Sequence, residues 1–136
     1  MTTAATMQRI ITELAVLHGI DLTQPESFLR LEMPEMLPLS IEWIGPNQVA
    51  VCHSFIQNGD LMVDPEVVFF TGYSQWVPIE ITQAPLRLYR RCATLTPDAT
   101  AIAEFSPKAM REIAHFSHQW ARNIQQQGYL HAAASS

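Results

Sequence analysis

The sequence predicts an α+β fold: an antiparallel meander of five or six strands, flanked by an N-terminal and a C-terminal helix packed on one face. Three observations predict it. Near both ends of the chain, apolar residues recur at three- and four-residue steps, the period of a helix with one buried stripe. Between residues 28 and 94 the period falls to two, the period of a strand. Turn signals separate the alternating runs, with Gly45-Pro46-Asn47 and Asn58-Gly59 the clearest.

The first helix is expected over residues 4–18. Met7, Ile10, Ile11, Leu14 and Leu17 form its stripe, and Gly19 follows as a stop. Residues 20–27 carry Asp, Thr, Pro and Ser, the chemistry of a loop. Leu29, Leu31 and Met33 then alternate with Phe28, Arg30 and Glu32, and Leu39, Ile41 and Trp43 alternate with Ser40 and Glu42. In the next run Val49, Val51, His53 and Phe55 face one way, and Ala50, Cys52, Ser54 and Ile56 the other. Asn58-Gly59 tolerates positive φ at both turn positions, so a strand from Leu61 to Phe70 should return beside it, interrupted at Pro65. Val77, Ile79 and Ile81 mark another strand. The last carries Leu86, Leu88 and Cys92 opposite Arg87, Tyr89 and Arg91. Thr96-Pro97-Asp98 could open a short helix within an ambiguous stretch, 95–105. Ser106 and Pro107 suit the N-cap and first turn of a second long helix over 107–127, with Met110, Ile113, Ala114, Trp120, Ala121 and Ile124 as its buried stripe. Gly128 ends it, and the tail from Ala132 to Ser136 is expected to fray. No internal repeat and no long linker divides the chain, so residues 1–136 are read as one domain.

Composition narrows the function classes. The 136 residues are 48% hydrophobic and 15% charged, with a formal net charge of −5. That combination excludes disorder as the main state and argues against a general binder of the phosphate backbone. The charge is unevenly placed. Between Leu31 and Leu86 there is no lysine or arginine, while Glu32, Glu35, Glu42, Asp60, Asp64, Glu66 and Glu80 all fall there. The start lacks the pattern of a secretory signal, and no apolar run approaches the roughly 20 residues a membrane span needs. The expected location is therefore cytoplasmic. Cys52 and Cys92 lie far apart inside apolar runs and are expected as buried thiols.

The segment from His53 to Glu66 is the most polar-dense near the centre, and His53, Asn58, Asp60, Asp64 and Glu66, with Trp76, are the candidate binding residues. In an unbroken strand Asp64 and Glu66 would share a face. Converging carboxylates hold hard cations or divide into acid and base, whereas Asn58, Asp60 and Asp64-Pro65 also have structural uses in turns and bulges. Glu112, His115 and His118 recur at three-residue steps on the second helix, a spacing seen in di-iron bundles, but the first helix offers only Glu13 and His18 as partners. There is no nucleophile elbow and no phosphate-binding glycine loop. No catalytic residue is assigned and no cofactor is expected.

Three functions follow from these residues. The first is a non-enzymatic binding or adaptor domain that engages a protein through an acidic sheet face. The second is a metal-assisted hydrolase or nuclease using His53, Asp60, Asp64 and Glu66. The third is a nucleic-acid contact through Arg87, Arg90, Arg91 and Arg122 with Tyr89. An exposed sheet edge or an unmatched tryptophan would also serve self-association.

The run Asn58-Gly59-Asp60-Leu61-Met62-Val63-Asp64-Pro65-Glu66 resembles the signature of an uncharacterised bacterial domain family found on plasmids and integrative elements. His53 upstream, Trp76-Val77-Pro78 downstream, and Trp120-Ala121-Arg122-Asn123-Ile124 with Gln127-Gly128 extend the resemblance over about residues 28–130. It implies an accessory protein of a mobile genetic element that counters or assists host systems. Family members carry an aromatic pair after the histidine, where this chain has Ser54-Phe55.

Overall fold

The computed structural model describes residues 1–135. Helix α1 spans Ala5–Leu17 and buries Met7, Ile10, Ile11, Leu14 and Ala15. Strands β1 (Phe28–Glu32), β2 (Leu39–Gly45), β3 (Gln48–Gln57), β4 (Asp60–Phe70), β5 (Val77–Gln83) and β6 (Leu88–Arg91) follow. A short hairpin, β7 (Ala93–Leu95) and β8 (Ile102–Phe105), leads into helix α2 (Pro107–Gln127), and β9 (Ala133–Ser135) closes the chain. The main sheet has seven antiparallel strands in the order β6-β5-β4-β3-β2-β1-β9.

The two helices pack on each other, and α2 lies against β5. The sheet face beneath them presents Leu29, Leu31, Leu39, Ile41, Val49, Val51, Val67, Phe69 and Ile81, all buried in one core with both helices. Burial of this apolar surface supplies the main drive to fold, about 25 cal/mol per Å² removed from water. Ser106 caps α2 as its sequence suggests, its Oγ accepting from the Ala109 N–H at 3.3 Å. Gly128, with φ 85°, ends the helix.

Three parts differ from the sequence expectations. The stretch 95–105 forms the β7–β8 hairpin rather than opening a helix. The Asp98 carboxylate accepts from the Thr96 and Thr100 hydroxyls at 2.8 and 2.7 Å and from the Thr100 N–H at 3.2 Å. Those bonds stabilise a tight loop that competes with a helical turn. The tail is not frayed through 133–135. Tyr129 is fully buried, and its hydroxyl donates to the Leu37 carbonyl. The chain so anchored runs along β1, pairing Ala133 with Glu32 and Ala134 with Leu31, and supplies a seventh strand where five or six were expected. Finally, Leu86 belongs to a single 3₁₀ turn, Ala84–Leu86, and is exposed, so the last meander strand begins only at Leu88.

Among the described residues, no helix packs on the second face of the sheet. At one end the β7–β8 hairpin reaches it. There Phe70 meets Tyr73 edge-on at 4.9 Å between ring centroids, and the Tyr73 hydroxyl accepts from the Ile102 N–H at 3.0 Å. Gly72 permits this packing, because a Cβ there would fall 2.4 Å from the Phe70 ring. Away from the hairpin Phe28, Glu42 and Tyr89 are exposed, and this part is the open face of the sheet.

Candidate binding surface

The open face is laid out by cross-strand register. One row runs Phe28, Glu42, Ala50, Val68, Glu80, Arg91; the next runs Arg30, Ser40, Cys52, Glu66, Thr82, Tyr89. Ala50, Cys52 and Val68 are buried and form a low floor on the central strands. Glu42, Glu66 and Glu80 stand around it. Burial first, then the charges of Glu42 and Glu80, push the Glu66 carboxyl above its ordinary value. Arg91 lies 3.4 Å from Glu80, and Arg30 lies 3.1 Å from Glu32. Among the described residues, neither Glu42 nor Glu66 has a cation at ion-pair distance. Cys52, on the floor, is pushed up to about 12 by burial and by Glu66 and Glu42. Its thiol donates to the His53 carbonyl at 3.3 Å, so it is a protonated, packed sulfur rather than a nucleophile.

Beyond this floor the β3–β4 hairpin extends as an arm. Strand β2 pairs with β3 only as far as His53, and β5 pairs with β4 only as far as Glu66. Residues 55–62 pair only with each other. Asn58 (φ 52°) and Gly59 (φ 83°) make the turn with the left-handed geometry that this pair favours. Ile56 and Leu61 face each other across the arm, 67% and 64% exposed. By the alternation of β3 they point to the same side as Ala50 and Cys52. The open face therefore carries both a group of three glutamates and, farther out, an exposed apolar pair.

The root of the arm is held from the helix side. A β-bulge sits there: Cys52 pairs with Glu66 and Ser54 with Val63, so Asp64 and Pro65, joined by a cis peptide, both lie opposite His53. His53 points beneath α2, where its Nδ1 accepts from the Trp120 indole N–H at 3.1 Å. The Tyr129 ring lies 5.6 Å from the imidazole. Burial depresses His53 to about 4, against a smaller opposing pull from the Asp64 carboxylate. Gln83 donates to Asp64 at 3.3 Å.

The sequence-predicted site residues are thus dispersed. His53 lies under α2, and Asp64, opposite it in the bulge, is near enough for its charge to act on the imidazole. Glu66 lies on the other face, which corrects the expectation that Asp64 and Glu66 share one: Asp64 and Pro65 together oppose the single residue His53, so the alternation slips by one before Glu66. Asn58 and Asp60 sit at the tip of the arm. Trp76 is at the far end of the sheet, its ring 5.7 Å from Phe69. Among the described residues no three His, Cys, Asp or Glu side chains gather closely enough to hold a metal ion. Glu112 pairs with Arg90, and His118 Nδ1 meets the Thr6 hydroxyl at 3.0 Å, so the helical Glu/His series is divided among separate contacts. Arg90 and Arg91 point to opposite sides of β6, one to Glu112 and one to Glu80, and do not make one basic patch. Sequence reasoning missed Tyr129 and the exposed Ile56–Leu61 pair. The second was available from the Asn58-Gly59 turn, which places those two residues opposite each other.

Comparison with known families matches residues 6–130 to a domain of unknown function, DUF6908. The chain belongs to the DUF6908 family. No curated protein and no solved structure matches it. In this DUF6908 chain the match takes in α1, the sheet from β1 to β6, the arm and α2, and ends just past Tyr129. No helix among the described residues is long and apolar enough to cross a membrane.

Proposed function

We propose that this DUF6908 domain is a non-enzymatic protein-binding module whose open sheet face takes a cationic, amphipathic segment of a partner protein. The observation that carries the reading is Glu66, half-buried between Glu42 and Glu80 and, among the described residues, with no cation at ion-pair distance, on the same face as the exposed Ile56–Leu61 pair farther out along the arm. Like charges held together on a partly desolvated surface repel, and an arginine or lysine set among them relieves that repulsion. Ile56 and Leu61 offer apolar area that water covers poorly. The small floor of Ala50 and Cys52 lets a peptide backbone or helix lie close to the sheet. The sequence signature supports placing the domain in a bacterial cytoplasm as an accessory protein of a mobile genetic element.

The test is a calorimetric titration with three synthetic peptides of equal length: a basic amphipathic one, an acidic amphipathic one, and a basic one with its leucines scrambled. The basic amphipathic peptide should bind best, more weakly as salt rises. Glu42→Lys/Glu66→Lys and Ile56→Asp/Leu61→Asp variants should each lose at least about tenfold, or 1.4 kcal/mol. Equal binding of the acidic and basic peptides, or unchanged affinity in both variants, would overturn the reading.

A further inference from the structure

A cavity lies on the helix side of the sheet, away from the open face. The C-terminal half of α1 and the loop after it stand over the β2–β3 turn and enclose a cavity of about 460 Å³. That is within the range of about 300–1,000 Å³ typical of small-molecule sites. Its walls are mainly apolar, with Trp43, Trp76, Val49 and Leu22 among the lining residues. Trp76 is held in place at both backbone ends: its N–H donates to the Gln8 side chain at 2.9 Å, and its carbonyl accepts from the Ala4 N–H at 2.8 Å.

Among the described residues, one ionisable side chain lines the cavity, Asp21. It is itself positioned, since its Oδ1 accepts from both the Thr23 N–H at 2.9 Å and the Thr23 hydroxyl at 2.6 Å. Those bonds favour the carboxylate and lower its pKa. No lysine, arginine or histidine shares the lining, so an anionic ligand such as a nucleotide would meet no counter-charge. Indole rings bind cations over their faces, and a carboxylate adds a point of attachment. We infer that the cavity between α1 and the β2–β3 turn binds a small organic cation with a flat aromatic body, the body against the apolar wall that Trp43 and Trp76 help to line and the ammonium at the exposed Asp21 on the rim. This site is independent of the open face.

The experiment follows the indole N–H resonances of Trp43, Trp76 and Trp120 in the full chain during titration with tryptamine, indole and indole-3-acetate. These share one body and differ in charge. Tryptamine should shift Trp43 and Trp76 saturably and leave Trp120 unmoved, binding about tenfold more tightly than indole, with the acetate weakest. Asp21→Asn keeps the acceptor for Thr23 and should reduce tryptamine to the affinity of indole. Thr12→Phe, which fills the cavity from the exposed side of α1, should abolish binding with Asp21 intact. Overturning results are a lack of saturable shifts at Trp43 and Trp76, equal binding of all three compounds, or full tryptamine affinity in Asp21→Asn.

Discussion

The indole N–H of Trp120 donates to Nδ1 of His53 across 3.1 Å, tying the middle of α2 to the root of the β3–β4 arm. An indole nitrogen can only donate, so Nδ1 must offer its lone pair and the neutral imidazole carries its proton on Nε2. Nε2 is buried without a partner among the described residues. Protonation would turn the Trp120 contact into one donor against another. The imidazole is therefore held neutral by its contact as well as by its burial.

The first prediction concerns pH. His53 is depressed to about 4 in the folded chain from an ordinary value of 6.5. Between those values the unfolded chain binds a proton that the folded chain refuses, so stability falls as the pH falls. The contribution is fully present above pH 6.5 and is lost by about pH 4. A shift of this size corresponds to roughly 3 kcal/mol. Urea denaturation across that range should show the slope, and its difference from His53→Phe should isolate it. A His53→Phe chain with the same pH dependence as the wild type would refute the assignment.

Trp120→Phe removes the donor and keeps most of the ring. It should cost about 1–3 kcal/mol, since His53 is then left with two unpartnered nitrogens. It should also raise the His53 pKa, because protonation no longer opposes an indole N–H. Histidine resonances followed by NMR through acid titration would show this, and an unmoved His53 midpoint would count against the tautomer.

Glu66 behaves in the opposite sense. Its carboxyl is raised by burial and by Glu42 and Glu80, so its ionisation opposes folding and stability is lost as the pH rises through its folded pKa. Glu66→Gln should therefore stabilise the isolated domain at neutral pH, by less than about 1 kcal/mol because solvent screens the site. The gain should vanish below the ordinary carboxylate range, and chemical denaturation at pH 7 and pH 3.5 compares the two. A destabilised variant at neutral pH would mean that the charge of Glu66 is compensated within the folded domain.

The arm should be dispensable for folding. Ile56 and Leu61 are exposed and pair only with each other, beyond the reach of β2 and β5. Replacing both with serine should change global stability by no more than about 0.5 kcal/mol. The same double variant should fail to bind the basic amphipathic peptide. A loss of several kcal/mol would show that the arm packs into the core.

Much of this fold was legible because its signals are local. The stripe of α1 from Met7 to Leu14, the Ser106-Pro107 start and Gly128 end of α2, and the Asn58-Gly59 turn each depend on residues within a few positions of one another; Leu17, expected in that stripe, is exposed because the helix ends there. The alternation of β3 placed Val49, Val51 and His53 beneath the helices and Cys52 on the other face. The concentration of acids between Leu31 and Leu86 was equally plain.

What the linear pattern could not decide is where the β4 register slips. Counting outward from Asn58-Gly59 without a bulge sets His53 against Asp64 and Val51 against Glu66, placing Glu66 in the core. The bulge at Asp64-Pro65 sets Cys52 against Glu66 instead, which turns Glu66 out to the open face and Val67 and Phe69 in. A slip of one residue reverses every later side chain, and the reward for making it is burial of Val67 and Phe69 under two helices distant in sequence. The pairing of His53 with Trp120, the burial of Tyr129 and the seventh strand arise in the same way. Each joins residues far apart along the chain and is stable only once the core has brought them together. The sequence by itself determined the elements, their turns and the charge they carry. The tertiary structure decided which face each charge occupies.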